Sequence, residues 1–260
     1  MTAEILIAVT AAAVSLVSAL VSSVATYRTT VMEHRLQEQT HQRSKAELAK
    51  ELFRRYREPL LWAAHSLQSR LFNALSRGFL TTYLRSGDPE EERYVRDNTV
   101  YLLAEYLGWL ELLRRDQRFL DIGDVADTTE FFASIDKTRA ILGTDTVSGP
   151  FRLFRGQQRA IGELMLTRTD ASDGVRHEVL GYAAFCARLD NYPRFAAWFD
   201  RLRAQVDEIE QGGVEGNQRL VMLQHRLIDL IDHLDRDRDR LPKNRDRVQP
   251  HDQVPAQRAR

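Results

Sequence analysis

Leu220, Leu223, Leu227, Leu230 and Leu234 recur at alternating steps of three and four, the spacing of one buried stripe on an α-helix. The same rule predicts a helix opened by Pro59, with Leu60, Ala64, Leu67, Leu71, Ala74 and Leu75 on its inner face. Asp88-Pro89 followed by Glu90, Glu91 and Glu92 is a strong start signal, a capping carboxylate followed by acids at the positive end of the helix dipole. That helix continues through Val95, Leu103, Tyr106, Leu110 and Leu113. Asp127 with Glu130 predicts a capped start for a shorter helix through Phe131 and Ile141. Further helices are predicted over Phe151 to Leu166, over Val175 to Leu189, and from Pro193 through Phe195, Trp198, Phe199, Leu202, Val206 and Ile209. Gly212, Gly213 and Gly216 end the last of these. No stretch reads as a set of alternating β-branched strands, so the expected fold is all-α, a helical bundle over residues 59–236.

Before the bundle, the pattern changes. Residues 5–27 carry no charge, and about 34 Å of helix would cover a hydrocarbon core of about 30 Å. A single N-terminal transmembrane helix is therefore expected within residues 1–27, from Ile5 to Tyr27, with Arg28 at its interfacial edge. A cleaved signal peptide is the competing reading, but no basic residue precedes the apolar run, and the run is longer than an ordinary signal core. Arg28, Arg35, Arg43 and Lys45 follow the span and none precedes it, which places the N-terminus outside and the C-terminal bulk in the cytoplasm of a cell membrane. Ala11, Ser15, Ala19 and Ser23 repeat every four residues and form a helix-packing face suited to a homodimer. Residues 28–58 are polar and contain no Gly or Pro, as expected of a juxtamembrane helical stalk. Residues 237–260, charged and punctuated by Pro242, Pro250 and Pro255, are expected to be a disordered tail.

Composition narrows the function classes. With 37 basic and 37 acidic residues the chain has no net charge, so no nucleic acid partner is expected. The single cysteine, Cys186, allows neither an internal disulfide nor a thiolate zinc site. No phosphate loop, nucleophile elbow or paired E-x-x-H set occurs, and the expectation is no catalytic residue and no cofactor. Two polar groups stand out. His225, Asp229 and Asp232 lie at steps of four and three, on one helix face where a metal ion could be held, although solvated charge opposite a leucine seam is the plainer explanation. Arg152, Arg155 and Arg159 offer a face for an anion or acidic partner, with Glu163 as an internal counter-charge.

Tyr56-Arg57-Glu58-Pro59-Leu60-Leu61, Leu67-Gln68-Ser69-Arg70-Leu71, Gln158-Arg159-Ala160-Ile161-Gly162-Glu163, Gly181-Tyr182-Ala183-Ala184-Phe185 and Trp198-Phe199 carry a resemblance. The chain resembles, over most of residues 50–235, an uncharacterised group of membrane-anchored helical proteins of high-GC Gram-positive bacteria. The resemblance implies a bacterial, membrane-linked placement and assigns no activity. The functional expectation is a single-pass, membrane-anchored cytoplasmic adaptor that binds a protein partner without catalysis. The alternative is a ligand- or metal-binding sensor or enzyme built on a polar pocket in the bundle.

Overall fold

The computed structural model describes residues 55–117, 126–171, 174–241 and 245–249, with isolated positions between 22 and 51. The chain divides into two units, Met1–Leu48 and Ala49–Arg260. In the first, the described positions from Ser22 to Glu47 are helical and exposed.

The second unit contains, in order, α1 (55–76), α2 (Phe79–Tyr83), α3 (Pro89–Gln117), α4 (Ala126–Gly143), α5 (Arg155–Leu164), β1 (Leu166–Ala171), β2 (Gly174–Val179), α6 (Tyr182–Asn191), α7 (Pro193–Ala196), α8 (Asp200–Gly216) and α9 (Gln218–Leu234). The capping signal at Asp88 operates as its chemistry demands: Oδ1 accepts the Glu90 amide at 2.9 Å, with Pro89 on the first turn of α3. Helix α1 runs antiparallel to α3, since Tyr56 bonds Asp116 near one end while Arg70 donates to Asn98 at 2.5 Å near the other. It also runs antiparallel to α9, with Arg57 donating to the Leu234 carbonyl at 2.6 Å and Gln224 to Gln68 at 3.2 Å. All five leucines of the α9 stripe are buried, as are Leu60, Ala64, Leu67, Leu71, Ala74 and Leu75 of α1.

Close approach depends on two glycines. A β-carbon on Gly162 of α5 would sit 2.6 Å from the Leu107 carbonyl oxygen of α3, and one on Gly108 would sit 3.0 Å from Met165 and Val179. Helix α5 and the base of the hairpin therefore press directly on the α3 backbone.

Two features of the expected fold are corrected. The chain is mostly helical, 76% of the described residues, but it is not all-α: β1 and β2 form an antiparallel hairpin in which Leu166 pairs with Val179 and Ala171 with Gly174. The strand takes residues 175–179 from the helix expected over Val175 to Leu189, and α6 begins only at Tyr182. Second, among the described residues no helix is long and apolar enough to cross a membrane, so the described fold does not include the expected transmembrane helix. The longest described helix, α3, has 29 residues, opens on three glutamates and buries Val95, Leu103, Tyr106 and Leu110 in the core. Ile5, Arg28, Ala11, Ser15 and Ala19 of the expected anchor and packing face lie outside the described residues, while Ser23 and Tyr27 are helical and exposed.

The expected disordered tail over residues 237–260 is corrected where it is described, at residues 237–241 and 245–249. Leu241 and Val248 are buried, and residues 245–249 lie against α9. Leu241, just before Pro242, and Val248, two residues before Pro250, supply the anchors that the overall polarity of this stretch obscures.

The glycine stop after α8 takes the form of a kink. Gly213 has φ 55 and ψ −164, and the Asn217 amide donates to the carbonyls of Ile209 at 2.8 Å and Gly213 at 2.6 Å, closing the end of the helix.

Candidate functional site

An open groove of about 280 Å³ lies between α5 and the α7–α8 junction. Its walls are Leu153, Ile161, Ala197, Trp198 and Leu202, with Gln157 and Arg201 as the polar groups. The wall on the α7–α8 side is set by an aromatic cluster: Phe195 and Phe199 pack on Phe185 with ring centroids 5.6 and 5.0 Å away. Burying Phe195 and Phe199 turns the intervening Trp198 outward, where it is 45% exposed. The periodicity places Trp198 on the buried face; the structure puts it at the edge of that stripe, lining the groove. Arg201 is exposed and bonds to no carboxylate among the described residues.

The opposite wall is held by backbone bonds from buried amides. Gln158 donates to the carbonyls of Leu153 at 2.8 Å and Arg139 at 2.9 Å, and Gln205 accepts the Phe151 amide at 3.1 Å. Phe151 itself takes φ 61, a left-handed backbone uncommon for a bulky residue, and its ring is fully buried.

A second void, between α3 and α5, is about 10 Å³, room for one water and no substrate. Glu111 at its edge is held by Arg114 at 2.5 Å and Arg115 at 3.1 Å. Burial works against its charge, but the two guanidiniums outweigh it and keep the carboxyl below its ordinary range.

The structure brings His225, Asp229 and Asp232 to one face of α9 and gives each a partner from residues 236–249. His225 Nε2 lies 2.9 Å from the Val248 carbonyl oxygen, which makes Nε2 the protonated nitrogen. Asp229 accepts from Arg247 at 2.8 Å and Arg226 at 3.1 Å. Asp232 accepts from Arg245 at 2.6 Å and Arg238 at 3.4 Å. Arg245 also pairs with the buried Asp235. Burial opposes the charge of Asp229 and of Asp235, yet the surrounding arginines hold both below the usual carboxylate value. Among the described residues no group of His, Cys, Asp and Glu is arranged to hold a metal ion.

Arg152, Arg155 and Arg159 do not converge. Arg152 lies over the Phe154 ring at 5.4 Å, Arg155 pairs with Asp136 at 3.3 Å, and Arg159 pairs with Glu163 at 2.9 Å. What sequence reasoning missed is the set Arg245, Arg247 and Val248. The available signal was alternation, since residues i and i+2 of an extended chain share a side and Arg245 and Arg247 are so spaced.

No protein-family model, curated protein or solved structure matches the chain.

Proposed function

We propose that the chain is a helical adaptor whose α5/α7–α8 groove receives a short segment of a protein partner, one apolar anchor beside an acidic residue. The observation that carries this reading is Trp198, half exposed along an apolar groove, with Arg201, which bonds to no carboxylate among the described residues, at its lip. A rigid aromatic of this kind, flanked by a cation, is the usual anchor of a recognition surface. The groove is open and shallow, which suits a side chain presented by a peptide better than an enclosed small molecule. The interior carboxylates serve structure: Asp97 is bound by Arg93 and Arg203, and Glu111 by Arg114 and Arg115.

Selection of displayed peptides on the full chain tests the reading. The expected pool pairs an aromatic or aliphatic residue with a nearby Asp or Glu, and Trp198→Ala abolishes its binding while helicity is retained. A pool without that pairing, or one that binds Trp198→Ala equally well, rejects it.

A further inference from the structure

Residues 245–248 are held on α9 in the manner of a bound peptide. The amide of Gln224 reads their backbone twice: Nε2 donates to the Asp246 carbonyl at 2.8 Å, and Oε1 accepts the Val248 amide at 3.3 Å. Gln224 is itself fully buried and steadied by Gln68 of α1. His225 bonds the Val248 carbonyl, and Arg247 returns a bond to the His225 carbonyl at 3.2 Å. No secondary structure joins the two segments, so side chains of α9 supply the groups that a neighbouring strand would otherwise provide.

The register is geometric. From His225 to Asp232 the helix rises about 10.5 Å, and from Val248 back to Arg245 an extended chain covers about 10 Å. His225, Asp229 and Asp232, four and three apart on α9, therefore meet Val248, Arg247 and Arg245 of the strap in turn, running in the opposite direction. Val248 fills an apolar socket and is fully buried, while Asp246 between the arginines points to solvent.

What holds the strap is partly exposed. Arg247, Asp229 and Asp232 are each more than a third exposed, so the Arg247–Asp229 pair is weak and screened by salt, while the Arg245–Asp235 pair and the Val248 side chain are buried. The seat beneath is made by α1 and α9, and the leucine stripe with which α9 enters the core lies on another face of that helix.

We infer that the α1/α9 face is a recognition site for an extended Arg-x-Arg-aliphatic segment of a partner protein, and that residues 245–248 are its resident ligand in cis. Charge complementarity fixes the occupant: Asp229, Asp232 and Asp235 line the seat, and Gln224 demands an extended backbone. The site is formed by helices other than those of the α5/α7–α8 groove and stands independently of that reading. A tethered strap competes at an effective concentration on the order of millimolar, so a partner needs a matching segment plus contacts elsewhere.

The test uses the full chain carrying Val248→Asp, which places a charge in the apolar socket, and a labelled peptide with the sequence of residues 243–250. Fluorescence anisotropy at low salt is expected to show binding to this variant at least about tenfold tighter than to the unaltered chain. Adding Asp229→Asn and Asp232→Asn abolishes it, and a peptide with the two arginines made adjacent does not bind. If Val248→Asp lowers helicity, Arg247→Ala, at a half-exposed position, replaces it. Absence of binding to the released chain, equal binding of the rearranged peptide, or binding that survives loss of both aspartates overturns the inference. A concentration-dependent dimer of the unaltered chain that Val248→Asp dissolves would assign the seat to a second copy and equally overturn it.

Discussion

Gly162 meets Leu107 across the α3–α5 contact so closely that a β-carbon on the glycine would lie 2.6 Å from the leucine carbonyl oxygen and 2.8 Å from Cβ of Glu111. Neither neighbour is the free end of a flexible side chain, so the helices themselves must part. Gly162→Ala is expected to destabilise the chain by about 1–3 kcal/mol, the usual cost of overpacking, despite the better helix propensity of alanine. Thermal unfolding followed by circular dichroism reads this as a fall of about 2–4 °C per kcal/mol for a domain near this size.

Trp198 and Phe199 are adjacent and play opposite parts. Phe199 is fully buried in the cluster with Phe185 and Phe195, so Phe199→Ala is expected to cost about 3–5 kcal/mol. Trp198→Ala removes a half-exposed ring and is expected to cost no more than about 1 kcal/mol. Urea unfolding of the two variants side by side distinguishes a core residue from a surface anchor. Equal losses would mean that Trp198 serves packing alone.

The guanidinium of Arg219, fully buried at the start of α9, donates to the carbonyls of Ile141 at 2.6 Å, Thr144 at 2.8 Å and Val147 at 2.5 Å. Among the described residues no carboxylate pairs with it, and burial, followed by the nearby charge of Arg152, lowers its pKa. Replacing it by methionine leaves buried acceptors without donors, at about 1–3 kcal/mol for such a group. Arg219→Lys is expected to recover little of that loss, because a single ammonium cannot reach oxygens arranged around a planar fork. Chemical denaturation of both variants measures the difference.

Acid is expected to release the strap in two stages. His65 is held below its ordinary 6.5 by burial and then by Arg245, so its neutral form is the favoured folded one. Its contribution is complete above about pH 6.5 and declines as the pH falls toward the folded value. Asp229 and Asp235 have folded pKa values below the ordinary 3.8, so their contribution is complete above about pH 4 and is lost as the pH drops through the folded values. Hydrogen exchange of residues 245–249, corrected for the intrinsic rate at each pH, should accelerate in both ranges while α9 stays protected. Raising sodium chloride to about 0.5 M at neutral pH should act in the same direction by screening the half-exposed pairs. Exchange insensitive to both would remove the ionic account of the strap.

The helices with one clean stripe were legible from spacing alone. The leucines of α9, the apolar face of α1 and the Asp88 cap of α3 follow from local rules, and each residue behaves as its rule requires. The hairpin was not, because Thr167, Thr169, Val175 and Val179 favour strand while nearby Leu164 and Leu166 extend a helical period. The Ser172-Asp173-Gly174 run between the two Thr- and Val-bearing stretches was the available turn signal. At the strap, the spacing of His225, Asp229 and Asp232 shows a shared polar face, but periodicity within one helix cannot show what a segment twenty residues later will bring. Trp198 was misplaced for a related reason: a stripe of 3-and-4 spacing fixes the centre of a buried face, and residues at its margin are assigned by tertiary packing.

The contact made by Arg219 has a consequence for how the connection from α4 to α5 can evolve. Since the guanidinium grips main-chain oxygens, the identities of Asp145, Val147 and Ser148 are nearly free to drift, whereas the number of residues between Ile141 and Gly149 is not. Gly149 is the exception, with φ 114 and the Gly216 oxygen 3.2 Å from where a methyl group would project. A one-residue insertion in this turn should therefore harm the protein more than any single replacement of those three side chains.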